Sequence, residues 1–229
     1  MIEIDGILFD MDGVLLDSMS AHATAWTRAM GELGISVDEE EIYLREGEKG
    51  EVTARDFLKA SGLMSTRKRV QHVLDLKEKL FRASPAIRPF PDAARVVGAL
   101  ARAGVPLGLV TGTSRGEMEK VLPEPLRAPM KVIVPGDEVL HGKPHPEPYL
   151  KAAMGLGTKP PRTLVVENAP YGIRSAKDAG TIVLAIRSYL ADPHLAAAQY
   201  RIDTLGELLP FLRENAAGFG ERLGGDPLA

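Results

Sequence analysis

The residues that most constrain this chain are a short apolar run that ends on two carboxylates. Residues 4–9 are largely apolar, as is typical of a buried strand, and Asp10, Asp12 and Gly13 follow directly. Once the strand has ended and glycine allows a sharp turn, acids two positions apart can approach the same point. Carboxylates that close repel each other unless a cation lies between them or one keeps a proton. The segment therefore indicates a divalent metal and acid chemistry beside a strand end.

The composition narrows the classes of partner. The chain has 229 residues, of which 45% are hydrophobic, and a formal net charge of -3. There is no basic excess that would indicate a nucleic acid or an anionic membrane. The absence of cysteine excludes disulfides and thiolate chemistry. We expect a cytoplasmic protein without a signal peptide or a transmembrane helix.

The order of the predicted elements indicates an α/β fold. Residues 18–87 show helical spacing of apolar residues, whereas strands and helices alternate from residue 88 onward. The predicted strands are nearly continuous in apolar residues, as in parallel sheets that are covered on both faces. We therefore predict a doubly wound parallel sheet with an inserted α-helical cap domain. The predicted bounds are 1–17 and 88–214 for the core, 18–87 for the cap and 215–229 for a flexible tail.

Polar residues stand where the predicted strands end. In a doubly wound sheet, ligands bind outside the carboxyl ends of the strands. Each such residue alone could be an ordinary cap or surface residue, but their joint placement favours a single site. Besides the first acidic pair, the residues expected there are Thr111, Gly112, Lys143, Glu167 and Asn168.

These residue types suit phosphoryl transfer. One carboxylate can act as a nucleophile, and a second carboxylic acid can donate a proton to the leaving group and then activate water. Mg²⁺ takes oxygen ligands, which Glu167 and a backbone carbonyl near Asp12 could supply. The hydroxyl of Thr111 and the amides of residues 112–114 suit phosphate oxygens, and Lys143 adds a positive charge. Nucleophile, acid, cation and charge clamp together favour a phosphate-ester substrate.

Four motifs occur in order along nearly the whole chain: FDMDGVLLDS, LVTGTSR, GKPHPEPY and VVENAPYGIRSAKDAG. Together they resemble the motifs of haloacid dehalogenase superfamily phosphatases, in the group of β-phosphoglucomutases and phosphoglycolate phosphatases. The resemblance implies a Rossmann-like core with a helical cap inserted after the first motif. It also implies a small phosphorylated substrate and Mg²⁺ as cofactor.

The resemblance further implies a role for each motif residue. Asp10 would be the nucleophile that becomes an aspartyl phosphate, and Asp12 would be the general acid and base. The residues implied to bind the transferring phosphate are Thr111, Gly112 and Lys143. The implied ligands of Mg²⁺ are Asp10, the carbonyl of Asp12, Glu167 and Asn168.

The fourth motif departs from the family pattern. It usually reads Glu-Asp, but this chain has Glu167 followed by Asn168. An amide oxygen can still bind a metal or orient a metal-bound water, although the site loses one negative charge. We expect Mg²⁺ to be retained with weaker binding and with a larger share of the coordination on Glu167.

Three cap residues are candidates for contact with the substrate. His22, in AHATAW, resembles the β-phosphoglucomutase pattern at the start of the first cap helix. Residues 43–50, YLREGEKG, match a loop that reads the substrate in relatives, and the mutase has a basic residue there that grips the distal phosphate of a bisphosphate. Arg45 and Lys49 are the basic candidates here, but acidic residues and glycine interrupt the pattern.

The leading hypothesis is a Mg²⁺-dependent phosphatase that acts on a sugar phosphate or a phosphoglycolate-like metabolite. We expect a monomer or a weak homodimer, without nucleic acid or membrane as partner. Two alternatives stay open: a β-phosphoglucomutase-like hexose phosphate mutase, and a non-catalytic binding protein that retains the fold. The interrupted basic loop favours hydrolysis over the mutase, and Asn168 is the only support for the binding protein.

Overall fold

A six-stranded sheet, parallel throughout, forms the centre of the structure. The structure is a computed structural model that describes residues 1–224. In chain order the strands are β1 (Gly6–Phe9), β2 (Leu16–Asp17), β3 (Arg88–Pro89), β4 (Leu107–Val110), β5 (Met130–Val134), β6 (Thr163–Glu167), β7 (Ile182–Ile186) and β8 (Tyr200–Ile202). The sheet has the spatial order β5-β4-β1-β6-β7-β8, so the chain winds outward from β1 in both directions. This confirms the predicted doubly wound α/β fold.

The helices cover the sheet and form the inserted segment. They are α1 (Met19–Gly31), α2 (Glu39–Leu44), α3 (Gly50–Ala60), α4 (Arg67–Arg82), α5 (Ala93–Arg102), α6 (Arg115–Val121), α7 (Glu124–Arg127), α8 (Glu147–Leu156), α9 (Pro170–Asp178), α10 (Asp192–Leu195), α11 (Leu208–Asn215) and α12 (Phe219–Arg222). Within residues 1–224, no helix combines the length and the apolar character that a bilayer crossing requires. The elements β2, β3, β8, α7, α10 and α12 were not predicted, because two to four residues leave little periodicity to detect.

Successive residues of the central strands pack into different hydrophobic layers. In β1, Ile7 and Phe9 belong to the layer that contains α5 and α11, and Leu8 belongs to the layer that contains α8 and α9. Side chains alternate between the two faces of a strand, so both faces of the sheet are buried. This double burial explains why the strands read as apolar without a polar alternation.

The helices α1 to α4 build a hydrophobic cluster separate from the two layers of the sheet. Trp26, Phe57 and Val73 are buried in this cluster. The chain enters these helices after β2 and returns through β3, and the two short strands pair in antiparallel fashion. The predicted domain bounds at residues 17 and 88 fall on this pair. We propose that the core and the cap divide there.

The C-terminal segment differs from its prediction. The sequence predicts a flexible tail over residues 215–229, but Ala216 pairs with Ile2 and Phe219 is fully buried in the layer of α5 and α11. The glycine-rich composition around Phe219 does not reveal this contact. Residues 225–229 of the predicted tail lie outside the described residues.

Replacing Phe219 tests this packing. Truncation of a fully buried phenylalanine removes apolar contacts and leaves a cavity, so we expect Phe219→Ala to lower the free energy of unfolding by about 3–5 kcal/mol. Urea denaturation measures the change. Glu221→Ala, at an exposed position of the same helix, should alter it by less than about 0.5 kcal/mol. Equal unfolding midpoints for the two variants would show that this segment is not packed in solution.

Candidate active site

The ammonium of Lys143 lies between two buried carboxylates at the carboxyl edge of the sheet. Its Nζ donates to Asp10 Oδ1 at 2.5 Å and to Glu167 Oε1 at 2.7 Å. Asp10 follows β1 and Glu167 ends β6, and these neighbouring parallel strands bring the two acids together. Burial opposes the charge of Lys143, but the carboxylates of Asp10 and Glu167 raise its pKa well above the usual value. Lys143 is therefore the cation of this network.

Asp10 and Asp12 lie in different environments. Burial raises the pKa of Asp10, against the opposing charge of Lys143 and with a contribution from Glu167. Burial also acts to raise the pKa of Asp12, but His22 and a hydrogen bond from Ser18 at 2.6 Å outweigh it and hold that pKa low. The two acids therefore lie in unlike electrostatic surroundings.

His22 contacts the side chain of Asp12. The His22 Nε2 atom lies 3.2 Å from Asp12 Oδ1, although it is not aligned for a hydrogen bond. Burial lowers the pKa of His22, and the nearby charge of Lys77 acts in the same direction, while Asp12 opposes both. On the other side, the Thr113 hydroxyl lies 3.4 Å from Asp12 Oδ2. The structure thus places the predicted cap candidate His22 beside Asp12.

Glu167 reaches the site, but its carboxylate is already fully hydrogen-bonded. Oε1 accepts from Lys143 and from the Tyr149 hydroxyl, each at 2.7 Å. Oε2 accepts from the backbone N–H groups of Asn168 at 2.8 Å and Ala169 at 3.2 Å. Four donors use the acceptor capacity of a carboxylate. This geometry favours a role for Glu167 in holding Lys143 rather than the larger metal-binding share expected from the sequence.

Two other oxygens fit a metal ion. Asp10 Oδ2 and Asn168 Oδ1 are buried, and neither receives a hydrogen bond from the part of the chain that the structure describes. Asn168 lies against Gly13, where a Cβ would come within 2.0 Å of the amide nitrogen. Buried acceptors without donors are rare, and oxygen ligands are those that Mg²⁺ prefers. Asp10 and Asn168 therefore fit the expected cation better than Glu167 does.

The predicted phosphate-binding turn is in direct contact with the cap. The Thr111 hydroxyl accepts a hydrogen bond from the Thr113 N–H at 3.1 Å, which shapes the turn. A Cβ on Gly112 would lie 2.6 Å from the carbonyl oxygen of Gly47 in the cap loop. A Cβ on Gly47, where φ is +81°, would lie 2.5 Å from the Lys143 side chain. Glycine at these positions lets the cap loop lie directly on the turn and on Lys143.

The two basic cap candidates are both paired within the protein, although Arg45 also lines the pocket between the cap and the 112–114 turn. Arg45 donates to Glu48 at 3.1 Å, to Asp56 at 3.2 Å and to Glu41 at 3.2 Å. Lys49 Nζ donates to the carbonyl oxygens of residues 139 and 140, at 2.5 and 3.0 Å. The structure thus brings neither charge into the position of a free phosphate clamp.

Sequence reasoning missed Glu46 and Lys77 as site residues. Both line a pocket between the cap and the 112–114 turn. Lys77 lies three residues after Leu74 and four before Phe81, so it shares the apolar face of α4. A lysine on that face was the signal in the sequence that could have identified it. Burial and the charge of Asp12 raise the pKa of Glu46 well above its usual value.

A model of the haloacid dehalogenase-like hydrolase family matches residues 7–186. The chain belongs to this family. Hexitol phosphatase A from Escherichia coli is 28% identical over 211 residues, which cover 89% of this chain and 92% of that protein. The phosphoglycolate phosphatase of Escherichia coli is 30% identical over 208 residues, which cover 78% of this chain and 79% of that protein. The family and these relatives identify the chain as an enzyme, a phosphoric monoester hydrolase.

A solved structure of the same family is similar throughout the chain. CbbY from Rhodobacter sphaeroides, in complex with phosphate, has a TM-score of 0.78 and 26% identity, and covers 94% of this chain and 98% of that one. The resemblance inferred from the four motifs is therefore confirmed, together with the Rossmann-like fold class.

Substitutions in the buried network of Lys143, Asp10 and Glu167 should change the stability in opposite directions. Lys143→Met leaves two buried carboxylates without their cation, so we expect the free energy of unfolding to fall by about 3–5 kcal/mol. Asp10→Asn removes one of the excess negative charges, so the free energy of unfolding should rise. Chemical denaturation with a chelator present measures both.

Lys177→Met is the matched control, because Lys177 is exposed on α9. Its effect should stay within about 0.5 kcal/mol of zero. If Lys143→Met is as stable as this control, the ammonium does not hold the two acids together.

Proposed function

We propose that this enzyme is a Mg²⁺-dependent, cytoplasmic phosphatase that hydrolyses a small phosphorylated metabolite through a phosphoaspartate on Asp10. The observation that carries the proposal is the pair of acids with unlike surroundings. Asp10 lies against the Lys143 ammonium, and Asp12 is held by Ser18 and His22. Such an arrangement supplies a nucleophile beside a positive charge and an acid–base group next to it.

In the first step, the Asp10 carboxylate would form a bond to phosphorus while the bond to the ester oxygen breaks. The leaving oxygen would take a proton from Asp12. Lys143 would offset the negative charge shared by the carboxylate and the phosphate. The incoming phosphate places negative charge near Asp12, which favours the protonated acid that this step requires.

In the second step, Asp12 would take a proton from a water molecule whose oxygen attacks the phosphorus. The bond between phosphorus and Asp10 breaks, which releases inorganic phosphate and restores the carboxylate. The Thr111 hydroxyl, which already accepts from the Thr113 N–H, and the amides of residues 112 and 114 would bind phosphate oxygens. A Mg²⁺ ion held by Asp10 and Asn168 would supply further charge neutralisation.

The cap supports hydrolysis over a mutase reaction. A mutase must grip the second phosphate of a bisphosphate and reorient it. Arg45 and Lys49 are tied to carboxylates and to backbone carbonyls. Incubation with glucose 1-phosphate and Mg²⁺ separates the two reactions: we expect phosphate release without glucose 6-phosphate. Isomerisation faster than phosphate release would contradict the proposal.

Loss of the nucleophile tests the catalytic role of Asp10. Asp10→Asn keeps the shape of the side chain but removes its nucleophilic charge, so kcat should fall on the order of 10³-fold or more. A panel of phosphorylated metabolites with Mg²⁺ provides the assay. Lys177→Met should retain full turnover. Persistence of turnover in Asp10→Asn would exclude a covalent mechanism at this residue.

Asn168 provides a test of the metal site. Asn168→Asp adds a negative charge beside a cation-binding oxygen, so we expect about tenfold tighter Mg²⁺ binding, or about 1.4 kcal/mol. Asn168→Ala removes the oxygen and should weaken binding. The Mg²⁺ dependence of the melting temperature reports affinity without turnover. Identical Mg²⁺ titrations for the three proteins would show that residue 168 is not a ligand.

A further inference from the structure

Two histidines and a glutamate lie together on the segment that carries Lys143. His141, His145 and Glu147 each offer a ring nitrogen or a carboxylate oxygen, and these three atoms lie within 4.8 Å of one another. Both histidines are exposed, and Glu147 is partly exposed. The proposed phosphatase reaction uses none of these three side chains, so it does not account for their grouping.

The carboxylate of Glu147 is held in place by the backbone. Its Oε1 accepts from the N–H of Leu140 at 2.6 Å, and its Oε2 accepts from the N–H of His141 at 2.8 Å. These hydrogen bonds lower the pKa of Glu147, so the carboxylate is anionic at neutral pH. Each carboxylate oxygen has about two acceptor sites, so Oε1 keeps one for a further partner.

The imidazole of His141 faces that carboxylate. Its Nδ1 lies 3.0 Å from Glu147 Oε2. In a tetrahedral zinc site, bonds of about 2.0–2.2 Å to nitrogen and oxygen place two ligand atoms about 3.3 Å apart. The observed separation is therefore close to the one that an ion bound to both atoms requires. Such an ion would replace the proton between Nδ1 and Oε2.

The imidazole of His145 lies beside that of His141, with the ring centroids 4.6 Å apart. Its Nδ1 accepts from the Glu147 N–H at 3.1 Å, so this nitrogen carries no proton and directs a lone pair toward Glu147. The backbone of His145 is anchored as well, because its carbonyl oxygen accepts from the Ser175 hydroxyl at 2.6 Å. An ion at Nδ1 would displace one hydrogen bond and would otherwise find the residue in place.

Two cations line the cleft beside the histidines, but each has other partners. Lys49 donates to the carbonyl oxygens of residues 139 and 140, and Arg174 lies 3.6 Å from Asp178. Among residues 1–224, neither forms an ion pair with Glu147. The negative charge of Glu147 is thus open to a bound cation.

We propose that His141, His145 and Glu147 bind one divalent transition-metal ion of the zinc class, with water as the fourth ligand. Imidazole nitrogens suit Zn²⁺, whereas Mg²⁺ prefers oxygen ligands. The site therefore differs in position and in ion preference from the Mg²⁺ site proposed at the sheet edge, and it does not depend on the phosphatase reaction. Because the two histidines flank Lys143 in the sequence, the ion would also restrain the segment that carries this lysine.

Equilibrium dialysis against Zn²⁺ in excess Mg²⁺ tests the site in the full chain. The wild type should bind one more equivalent of Zn²⁺ than a variant with both His141→Asn and His145→Asn. Either substitution alone should weaken binding by at least about tenfold. With Co²⁺ as the probe, the wild type should show the visible absorption bands of a four-coordinate ion, and the variants should lack them. Both positions are exposed, so melting temperatures in the presence of a chelator should be equal.

His72→Asn is the matched control, because His72 is an exposed histidine that lies 3.8 Å from a carboxylate oxygen of Glu32 in the cap. It should bind Zn²⁺ as tightly as the wild type does, and so should Asp10→Asn, since the two sites are separate. Equal Zn²⁺ binding by the wild type and the double variant would overturn the inference. Loss of the ion in Asp10→Asn, or equal losses in His72→Asn and His145→Asn, would overturn it as well.

Discussion

One buried ammonium holds together the groups on which the proposed chemistry depends. Lys143 joins the carboxylates that follow β1 and end β6, and it does so without exposure to solvent. Burial of unpaired charges would cost several kcal/mol each. Asp12 adds a third buried carboxylate, so negative charge still exceeds positive charge at this edge of the sheet. That excess favours a bound cation, for which Asp10 and Asn168 offer buried oxygens that accept no hydrogen bond within residues 1–224.

The sheet and the cap contribute different parts of the proposed function. The sheet edge supplies the reacting groups, and their positions are fixed by strand pairing and by two buried faces. The cap loop lies on the predicted phosphate-binding turn through the contact between Gly47 and Gly112. This contact places Glu46 of the cap loop near Asp12.

The residues that meet at the carboxyl edge of the sheet could be predicted from the sequence, because the rule that places them there is simple. Parallel strands end at one edge, so acids after β1 and β6 must meet there, as Asp10 and Glu167 do. The side-chain contacts between separate segments of the chain cannot be deduced from such a rule. The sequence offers Arg45 as a candidate for contact with the substrate, and it shows Glu46 only as an interruption of a basic loop. In the structure, Arg45 donates to Asp56, and Glu46 lies near Asp12. Phe219 is buried because of its tertiary contacts, which its glycine-rich neighbourhood conceals.

The central claim is that Asp10 carries the phosphoryl group during turnover. Rapid acid quenching of the enzyme with Mg²⁺ and a hydrolysed monophosphate, followed by proteolysis and mass spectrometry, tests this claim directly. We predict that the peptide containing Asp10 gains the mass of one phosphoryl group, that hydroxylamine removes it and that Asp10→Asn lacks it. Steady turnover with no phosphorylated peptide, or with the phosphoryl group on another residue, would contradict the account.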